Sequence, residues 1–226
     1  MTTWSRVYFQ SPSSFIIELV SCMHDYVSIF LIRIIIIVLI NLSYVRVSKT
    51  FNLEFFENHQ LETVWTVLPF VLLIFIVIPS LTSLYILDTC LFCGITLSII
   101  GHQWYWSYFY KDLKEFFFDS YIVPSDESNI RLLDVDNRII VPTFIPVRFL
   151  VSSSDVLHSW TVPSFGIKID AVPGRINQFC FSSKRSGVFF GQCSEICGAN
   201  HRFMPIVLES APFKNFISVF WVCNLY

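Results

Sequence analysis

Two long apolar segments limit what this chain can fold into more than any other feature of its sequence. Residues 27–45 carry one charge, Arg33, and residues 64–87 carry none. An α-helix rises about 1.5 Å per residue, so either segment can cross the roughly 30 Å hydrocarbon core of a bilayer. The sequence therefore predicts two transmembrane helices joined by a short polar loop. Such a hairpin leaves both chain ends on the same side of the lipid bilayer.

Three residues inside these segments are unusual for a membrane helix. Pro69 and Pro79 are tolerated because neighbouring groups satisfy the carbonyls that proline frees. Arg33 costs about 2.5–3.5 kcal/mol at the centre of a membrane helix. One interpretation is that Arg33 has a functional charge, which faces a partner or a proton path. The other is that its side chain extends to the membrane interface or is buried against a neighbouring subunit.

The distribution of charge divides the chain into two domains. Hydrophobic residues make up 54% of the chain and charged residues 14%, whereas an average soluble domain is about 25% charged. Most of the charged residues follow Asp88. We therefore predict a membrane anchor over residues 1–88 and a water-exposed domain over residues 89–226.

Charge also excludes some classes of partner and signal. The formal net charge is −2, and the sequence has no basic cluster of the kind that nucleic-acid binding needs. Glu18 interrupts the apolar stretch near the N-terminus. A cleaved signal peptide needs an uninterrupted apolar core, so none is predicted.

The second domain has the pattern of an all-β fold. Short runs rich in Val, Ile and Phe alternate with turn clusters, which indicates an antiparallel sandwich or barrel. A terminal helix is expected over residues 210–226. The strands are predicted at residues 95–110, 130–135, 138–142, 146–152, 159–162, 176–181 and 187–191.

A dense group of metal-binding residue types lies at residues 191–204. It contains Cys193, Cys197, His201 and Met204 in the spacing Cys-x3-Cys-x3-His-x2-Met. Thiolate and thioether sulfurs with imidazole suit copper. Two thiolates can bridge two coppers, and each metal then needs one imidazole and one weak axial donor. His158 supplies the second imidazole, and Met204 and the backbone carbonyl of Glu195 supply the axial donors.

Other uses of the cysteines remain open. The chain has seven cysteines, an odd number that cannot all pair. Zinc bound by two cysteines and two histidines would leave Met204 unused. A disulfide between Cys193 and Cys197 would leave the histidine and methionine without a role. Cys90 and Cys93 have the spacing of a redox or zinc pair, or are incidental at the end of a membrane span.

Four stretches in order, residues 61–69, 101–108, 155–160 and 191–209, resemble the family of cytochrome c oxidase subunit 2 in its mitochondrially encoded form. The resemblance covers most of the chain. It implies a two-helix transmembrane hairpin in the mitochondrial inner membrane, followed by an all-β, cupredoxin-like Greek-key barrel in the intermembrane space.

The resemblance also implies a function. The chain would be the electron-transfer subunit of a haem–copper terminal oxidase. It would accept electrons from cytochrome c at a binuclear copper centre, CuA, and pass them to haem a of subunit 1, where oxygen reduction is coupled to proton pumping. The implied copper ligands are His158, Cys193, the carbonyl of Glu195, Cys197, His201 and Met204.

Three further roles follow from the resemblance. Trp104 matches the tryptophan at which electrons enter, Glu62 matches the mouth of a proton pathway, and the Glu195 side chain matches a magnesium ligand shared with subunit 1. Taken without the resemblance, Trp104 is an aromatic of the core or the membrane interface. In the same way, Glu62 is a carboxylate favoured by the helix dipole.

Two positions depart from the family pattern. Phe109 and Thr89 stand where animal members carry acidic residues that face cytochrome c, which is basic. Acidic complementarity mainly sets the association rate and its salt dependence, so docking is expected to be weaker or shifted. The remaining candidate acids are Asp112, Asp119, Asp126, Glu127, Asp134, Asp136, Asp155 and Glu195.

Three other functions fit the sequence less well than electron transfer. A copper carrier needs exposed, exchangeable ligands. A purely structural subunit, as in the quinol oxidases, lacks the copper ligands. A soluble nitrous oxide reductase, which has a related CuA domain, would not carry the membrane hairpin. The intact ligand set and the two spans together favour the oxidase subunit.

Overall fold

The computed structural model describes residues 8–49, 56–89, 92–112, 116–124 and 130–222, without the side chains of residues 220–222. These residues form two compact units. Residues 19–87 make a helical unit, and the remaining described residues make a β unit.

The helical unit consists of two long apolar helices, α1 (Phe15–Val47) and α2 (His59–Asp88). Both are long and apolar enough to cross a membrane, and their most apolar windows have no buried residues. The predicted pair of spans is therefore present. Each helix extends beyond its predicted span, because the flanking polar residues continue the helix. Arg33 is exposed on α1.

One hydrogen bond joins the two helices at a proline. Pro79 lies inside α2 and has no N–H, so the carbonyl of Phe75 loses its usual partner four residues later. The Tyr26 hydroxyl of α1 donates to that carbonyl at 3.0 Å. The side chain of one helix therefore satisfies the backbone group that the proline of the other frees.

The described residues of the β unit form ten strands and a terminal helix, α3 (Phe213–Val222). The strands are β1 (Ile95–His102), β2 (Tyr105–Tyr110), β3 (Phe116–Ser120), β4 (Ile139–Pro142), β5 (Pro146–Ser153), β6 (His158–Val162), β7 (Ile167–Ala171), β8 (Asn177–Ser182), β9 (Gly187–Gln192) and β10 (Pro205–Ala211).

These strands form three sheets, in the orders β3-β2-β1-β5-β8, β4-β10-β9 and β6-β7. β1 pairs with β2 antiparallel and with β5 parallel. Side chains alternate between buried and half-buried along β1 and β5, as expected for sheets with one face on the core. The predicted architecture of two apolar helices and an all-β domain is confirmed.

Large aromatic and branched side chains fill the core of the β unit. Phe149 of β5 packs edge-to-face on Trp160 of β6, with ring centroids 5.0 Å apart. Both side chains are fully buried. Fully buried aliphatic residues from the same strands and from β1, β7 and β10 complete the core, namely Leu97, Ile99, Val151, Val162, Ile167, Ile206 and Leu208.

Several strand predictions differ from the structure. The predicted strand at 95–110 is a hairpin, β1 and β2, in which His102 pairs with Tyr105. The predicted strand at 130–135 is mostly turn, because Leu132 has a φ of 62°. Strands β3, β7 and β10 were not predicted, although Ile167–Ala171 alternates between buried and exposed. The terminal helix begins at Phe213 instead of residue 210.

The N-terminal segment, residues 8–18, belongs to the β unit. The Ser13 amide donates to the Ser164 carbonyl at 3.0 Å, and the Lys184 amide donates to the Ser13 carbonyl at 2.8 Å. Lys184 also forms an ion pair with Glu18. Ser13 and Ser14 are fully buried, so this segment is an integral part of the β unit and lies within the region predicted as membrane anchor.

Candidate metal centre

The loop between β9 and β10 carries most of the predicted ligands. It runs from Cys193 to Met204 and ends in a 3₁₀ turn, His201–Phe203. A Cβ atom at Gly191 would lie 1.9 Å from the Thr161 carbonyl oxygen, so only glycine allows β9 to approach β6 this closely. The Ser194 amide then donates to the Ser159 carbonyl at 2.9 Å. These contacts bring the start of the loop beside His158.

The structure gathers all six predicted copper donors into one cluster. His158 Nδ1 lies 4.0 Å from Cys193 Sγ, and Cys193 Sγ lies 3.3 Å from the Glu195 carbonyl oxygen. Cys197 Sγ lies 3.5 Å from the Nδ1 atom of His201. The thioether sulfur of Met204 lies 3.4 Å from Cys197 Sγ.

The centre of this cluster is buried. His158, Cys193, Cys197 and Met204 are all buried, and His201 is half-buried. Both cysteines are thiols, so the structure does not contain the alternative disulfide between them. Buried soft donors of this kind hold a metal away from water and from exchange.

The two thiols differ in acidity. Burial alone would raise the pKa of Cys193, but hydrogen bonds with His158 and with the backbone of Ser159 and Glu195 lower it below its usual value. The pKa of Cys197 is raised to about 12. Burial is the larger cause, and the neighbouring Cys193 is the second. Two adjacent thiolates repel each other, so holding both ionised requires a cation between them.

A carboxylate fixes the orientation of His158. Asp155 Oδ1 lies 2.9 Å from His158 Nε2, on the side of the ring away from Cys193. Burial lowers the pKa of His158, but its bonds with Cys193 and Asp155 outweigh that effect and raise it. Such outer hydrogen bonds orient a metal-binding imidazole and strengthen it as a ligand.

Gln103 joins the two sides of the cluster. Its backbone amide donates to Asp155 Oδ2 at 2.6 Å, and its side-chain amide donates to the Cys197 carbonyl at 2.7 Å. Gly101, two residues earlier, lies against the imidazole. A Cβ atom there would lie 2.9 Å from His158 Cδ2 and 3.1 Å from Trp106 Cζ3, so the ring position requires glycine.

Two tryptophans flank the cluster. The Trp106 ring meets the His158 ring edge-on at 5.8 Å, and its Nε1 donates to the Met204 carbonyl at 3.4 Å. Trp104 packs against Gly198, whose φ is 127° and whose Cβ position lies 3.3 Å from Trp104 Nε1. Trp104 is half-buried and therefore joins the metal-binding loop to the molecular surface.

The other predicted site residues are outside the cluster. The Glu195 side chain is exposed, although its carbonyl faces Cys193. Glu62 is in the first turn of α2, where its carboxylate lies 3.6 Å from His59 Nδ1. Phe109 is half-buried on β2 and pairs with Phe117 of β3. Cys90 lies outside the described residues.

Sequence reasoning missed the supporting residues around the donors. Asp155 was assigned only to the docking surface, and Gln103, Gly101 and Trp106 had no assigned role. Asp155 could have been found from its position three residues before His158. The other three are brought to the site by the β1–β2 hairpin, which the sequence pattern did not resolve.

The donor chemistry fits copper. A site of two thiolates and two imidazoles alone would suit zinc, but the Met204 sulfur and the Glu195 carbonyl belong to the same cluster. Soft sulfur donors together with imidazole are typical of copper sites. These donors fit the two-copper arrangement expected from the sequence.

Comparisons with known proteins agree with this site. Residues 95–211 match the family described as cytochrome C oxidase subunit II, periplasmic domain, and residues 2–83 match the transmembrane domain of the same subunit. Cytochrome c oxidase subunit 2 of Choristoneura rosaceana is 50% identical over 231 residues, 99% of both chains. The Sympetrum striolatum protein of the same name is 48% identical over 228 residues, covering 100% of this chain and 99% of its own.

A solved structure supports the same conclusion. The periplasmic domain of subunit II of cytochrome oxidase from Bradyrhizobium japonicum is 41% identical, with a TM-score of 0.58, and covers 60% of this chain and 97% of its own. This similarity confirms the predicted cupredoxin-like fold. The chain therefore belongs to the family of cytochrome c oxidase subunit 2, a subunit of haem–copper terminal oxidases.

Proposed function

We propose that this chain accepts electrons from cytochrome c at a binuclear copper centre, CuA, and passes them to haem a of subunit 1. The observation that carries the proposal is the single buried cluster of two thiols, two imidazoles, a thioether and a backbone carbonyl. In the assembled oxidase, this transfer feeds the oxygen reduction and proton pumping of subunit 1.

The proposed copper ligands are His158, Cys193, the Glu195 carbonyl, Cys197, His201 and Met204. Copper bound there would supply one-electron redox chemistry. The protein contributes a fixed donor set, because Asp155 orients His158 and Gln103 restrains the Cys197 carbonyl. Burial of the donors also argues against a carrier that releases its copper, since a carrier needs accessible ligands.

Trp104 is proposed as the point where electrons enter. Its indole contacts the loop at Gly198, between the second cysteine ligand and the histidine ligand. The side chain is half-buried, so one edge of the ring is accessible to a docked partner. Leu157, next to His158 in the chain, and Phe203, in the metal-binding loop, have exposed side chains and would give cytochrome c an apolar contact area.

Two carboxylates are proposed to act toward subunit 1. Glu195 presents its carbonyl to Cys193 and its carboxylate to the outside, which suits a magnesium ion shared between subunits, since magnesium prefers carboxylate oxygen. Glu62 is an exposed carboxylate in the first turn of α2. That position suits the entrance of a proton pathway at the boundary between water and membrane.

The proposed location follows from the same reasoning. The apolar faces of α1 and α2 are exposed over their length and would contact lipid and other oxidase subunits in the mitochondrial inner membrane. The membrane anchor, predicted over residues 1–88, is proposed to comprise the helical unit, residues 19–87. Residues 8–18 belong to the β unit and would lie with residues 89–226 and the copper centre in the intermembrane space, where cytochrome c is available.

Electron paramagnetic resonance of the full chain in detergent, loaded with copper, tests this proposal. We expect the hyperfine pattern of one unpaired electron shared equally by two copper nuclei. A Met204→Leu variant is the matched control, since it should shift the reduction potential and retain both metals. Splitting from a single nucleus, or a failure to take up copper, would overturn the proposal.

A further inference from the structure

We propose that the free edge of β9 is a docking site for an extended segment of another polypeptide, one that carries a carboxylate. β9 is an outer strand of the sheet β4-β10-β9, and in the described part of the chain it pairs with β10 alone. An edge strand presents a row of N–H and C=O groups to which a further strand can bond. A cavity of about 750 Å³ runs along this edge, and all six residues of β9 line it.

The cavity lies between β9 and the chain that leads out of β6. Thr161 of β6 and Ser164 of the 3₁₀ turn after β6 line this second side. The ring of Phe165, next to Ser164, packs edge-to-face on Phe189 of β9 with centroids 4.5 Å apart, which holds the two sides together. Six residues of strand extend roughly 17 Å, so the cavity suits an extended segment better than a small ion.

Two hydroxyl groups in the cavity wall lack partners. Ser164 is 4% exposed, and neither its Oγ nor Thr161 Oγ1 has a hydrogen-bond partner among the described residues. Both oxygens are buried, and buried polar groups in folded proteins are nearly always hydrogen-bonded. These hydroxyls therefore indicate an occupant that supplies the missing bonds, and the amides and carbonyls of a peptide backbone can do so.

Arg185 places a fixed positive charge at the end of the cavity where β9 begins. Its Nε donates to the Ser13 hydroxyl at 2.8 Å, and its Nη2 donates to the Ser11 carbonyl at 3.0 Å. The guanidinium carbon lies 5.4 Å from the centroid of the Phe189 ring. Among the described residues that line the cavity, Arg185 alone is charged. The complement of this charge is a carboxylate on the docked segment.

This site adjoins the metal centre without sharing its donors. Gln192, the last residue of β9, and Ser194 both line the cavity, on either side of Cys193 in the chain. None of the six proposed copper donors lines it. An added strand would therefore restrain β9 directly before the metal-binding loop, and the inference stands whether or not copper binds.

Binding of a defined peptide to the full chain in detergent tests this inference. The probe is tetramethylrhodamine-Gly-Glu-Val-Thr-Val-Thr-Val-Glu-amide, whose β-branched residues favour a strand and whose glutamates offer a carboxylate in either direction of pairing. We expect saturable binding by fluorescence anisotropy, and slower hydrogen–deuterium exchange of the β9 amides in the complex. Amides of β3, an edge strand of another sheet, should exchange as before. Absence of saturable binding, or equal protection of β3, would overturn the proposal.

Matched variants test the charge. Replacing both glutamates of the probe with glutamine should weaken its binding about tenfold, because hydrogen bonds between charged groups are the stronger kind. Arg185→Gln should weaken binding of the original probe to the same extent. Arg175→Gln, at an exposed arginine outside the cavity, should leave the affinity unchanged. Equal affinity of the two probes for the unaltered chain would overturn the proposal.

A second variant does not depend on Arg185, which also holds the N-terminal segment. Ser164→Ala should leave the thermal stability of the free chain unchanged, because the lost hydroxyl has no partner there. The same substitution should weaken binding of the probe about threefold, because a hydrogen bond to the peptide is lost. Unchanged affinity in Ser164→Ala would contradict the assigned contact.

Two controls identify other occupants. N-acetylglutamate amide should not displace the probe at concentrations at which the unlabelled peptide does, and displacement would show a site for a small anion only. Sedimentation of the chain with and without the peptide tests for self-pairing. A dimer that the peptide dissociates would show that a second copy of this chain occupies the edge. Either result would overturn the proposal of another polypeptide as the partner.

Discussion

The side chain of Gln103 donates a 2.7 Å hydrogen bond to the Cys197 carbonyl, which connects the β1–β2 turn to the metal-binding loop. Replacing Gln103 with alanine should lower the free energy of unfolding by about 1 kcal/mol and speed copper loss to a chelator, because the loop loses this restraint. Gln178→Ala, at an exposed glutamine of β8, is the control. Thermal unfolding and chelator kinetics measure both effects, and identical release rates would refute the restraint.

Gly101→Ala should disturb the imidazole ligand. The added methyl would lie 2.9 Å from His158 Cδ2, so the ring must shift and its contact with Cys193 weakens. We expect at least tenfold weaker copper binding, within the usual range for changes to groups that position a ligand. Gly174→Ala has no atom within 4 Å of the new methyl and a left-handed φ of 75°, so it controls for backbone strain. Equal copper affinity in the two variants would contradict this account.

The buried tyrosines predict a loss of stability at alkaline pH. Burial raises the pKa of both Tyr108 and Tyr110 above the usual 10.0, so both keep their protons in the folded chain while the unfolded chain ionises. The contribution of the two tyrosines to the free energy of unfolding is complete below about pH 10. Above pH 10 it decreases by about 1.4 kcal/mol per pH unit for each tyrosine. Urea unfolding from pH 9 to pH 12 measures the slope.

Tyr110→Phe separates this titration from other alkaline effects. It removes the hydrogen bonds of the Tyr110 hydroxyl with the backbone of Ile140, which lowers stability at every pH. It also removes one titrating group, so the slope above pH 10 should become shallower. Tyr8→Phe, at an exposed position, should keep the original slope, and a slope unaffected by Tyr110→Phe would be inconsistent with the assignment.

The hydrogen bond between Tyr26 and the Phe75 carbonyl predicts that substitutions of Tyr26 and Pro79 have coupled effects on stability, although these two residues do not bond to each other. Tyr26→Phe should cost about 0.6 kcal/mol of helical-unit stability in detergent, a typical value for a hydrogen bond between membrane helices. Pro79→Ala restores the N–H that the Phe75 carbonyl lacks. In that background Tyr26→Phe should cost less, and a double-mutant cycle of thermal unfolding measures the difference. Strict additivity would argue against the bond.

Phe109→Glu should increase the association rate with cytochrome c several-fold, and the rate should fall more steeply with salt. The substitution restores an acid on β2 at a half-buried position beside Phe117. Phe109→Gln places a side chain of nearly the same shape as glutamate there without the charge, and should leave the salt dependence as it is in the unaltered chain. Stopped-flow oxidation of reduced cytochrome c by the assembled oxidase gives both rates, and matching salt slopes would rule out steering at this position.

Features contained in a short stretch of sequence were predictable, and features that depend on strand pairing were not. Cys193, Cys197, His201 and Met204 lie close together along the chain, so their spacing alone indicated a metal site. Gln103 bonds with Asp155 across 52 residues of chain, a contact that no local pattern encodes. The predicted strand over residues 130–135 was wrong. The apolar pattern of this run is typical of a strand, but Leu132 has a left-handed φ, which makes the backbone turn there.

The N-terminal segment has a consequence for how the β unit can be made. Residues at both ends of the chain complete one compact unit, since Ser14 donates to the Phe165 carbonyl at 2.7 Å and Arg185 Nε donates to the Ser13 hydroxyl at 2.8 Å. A soluble fragment that starts after α2 lacks these partners. Such a fragment should behave as an incomplete protein, and a synthetic peptide of residues 8–18 should bind it by fragment complementation.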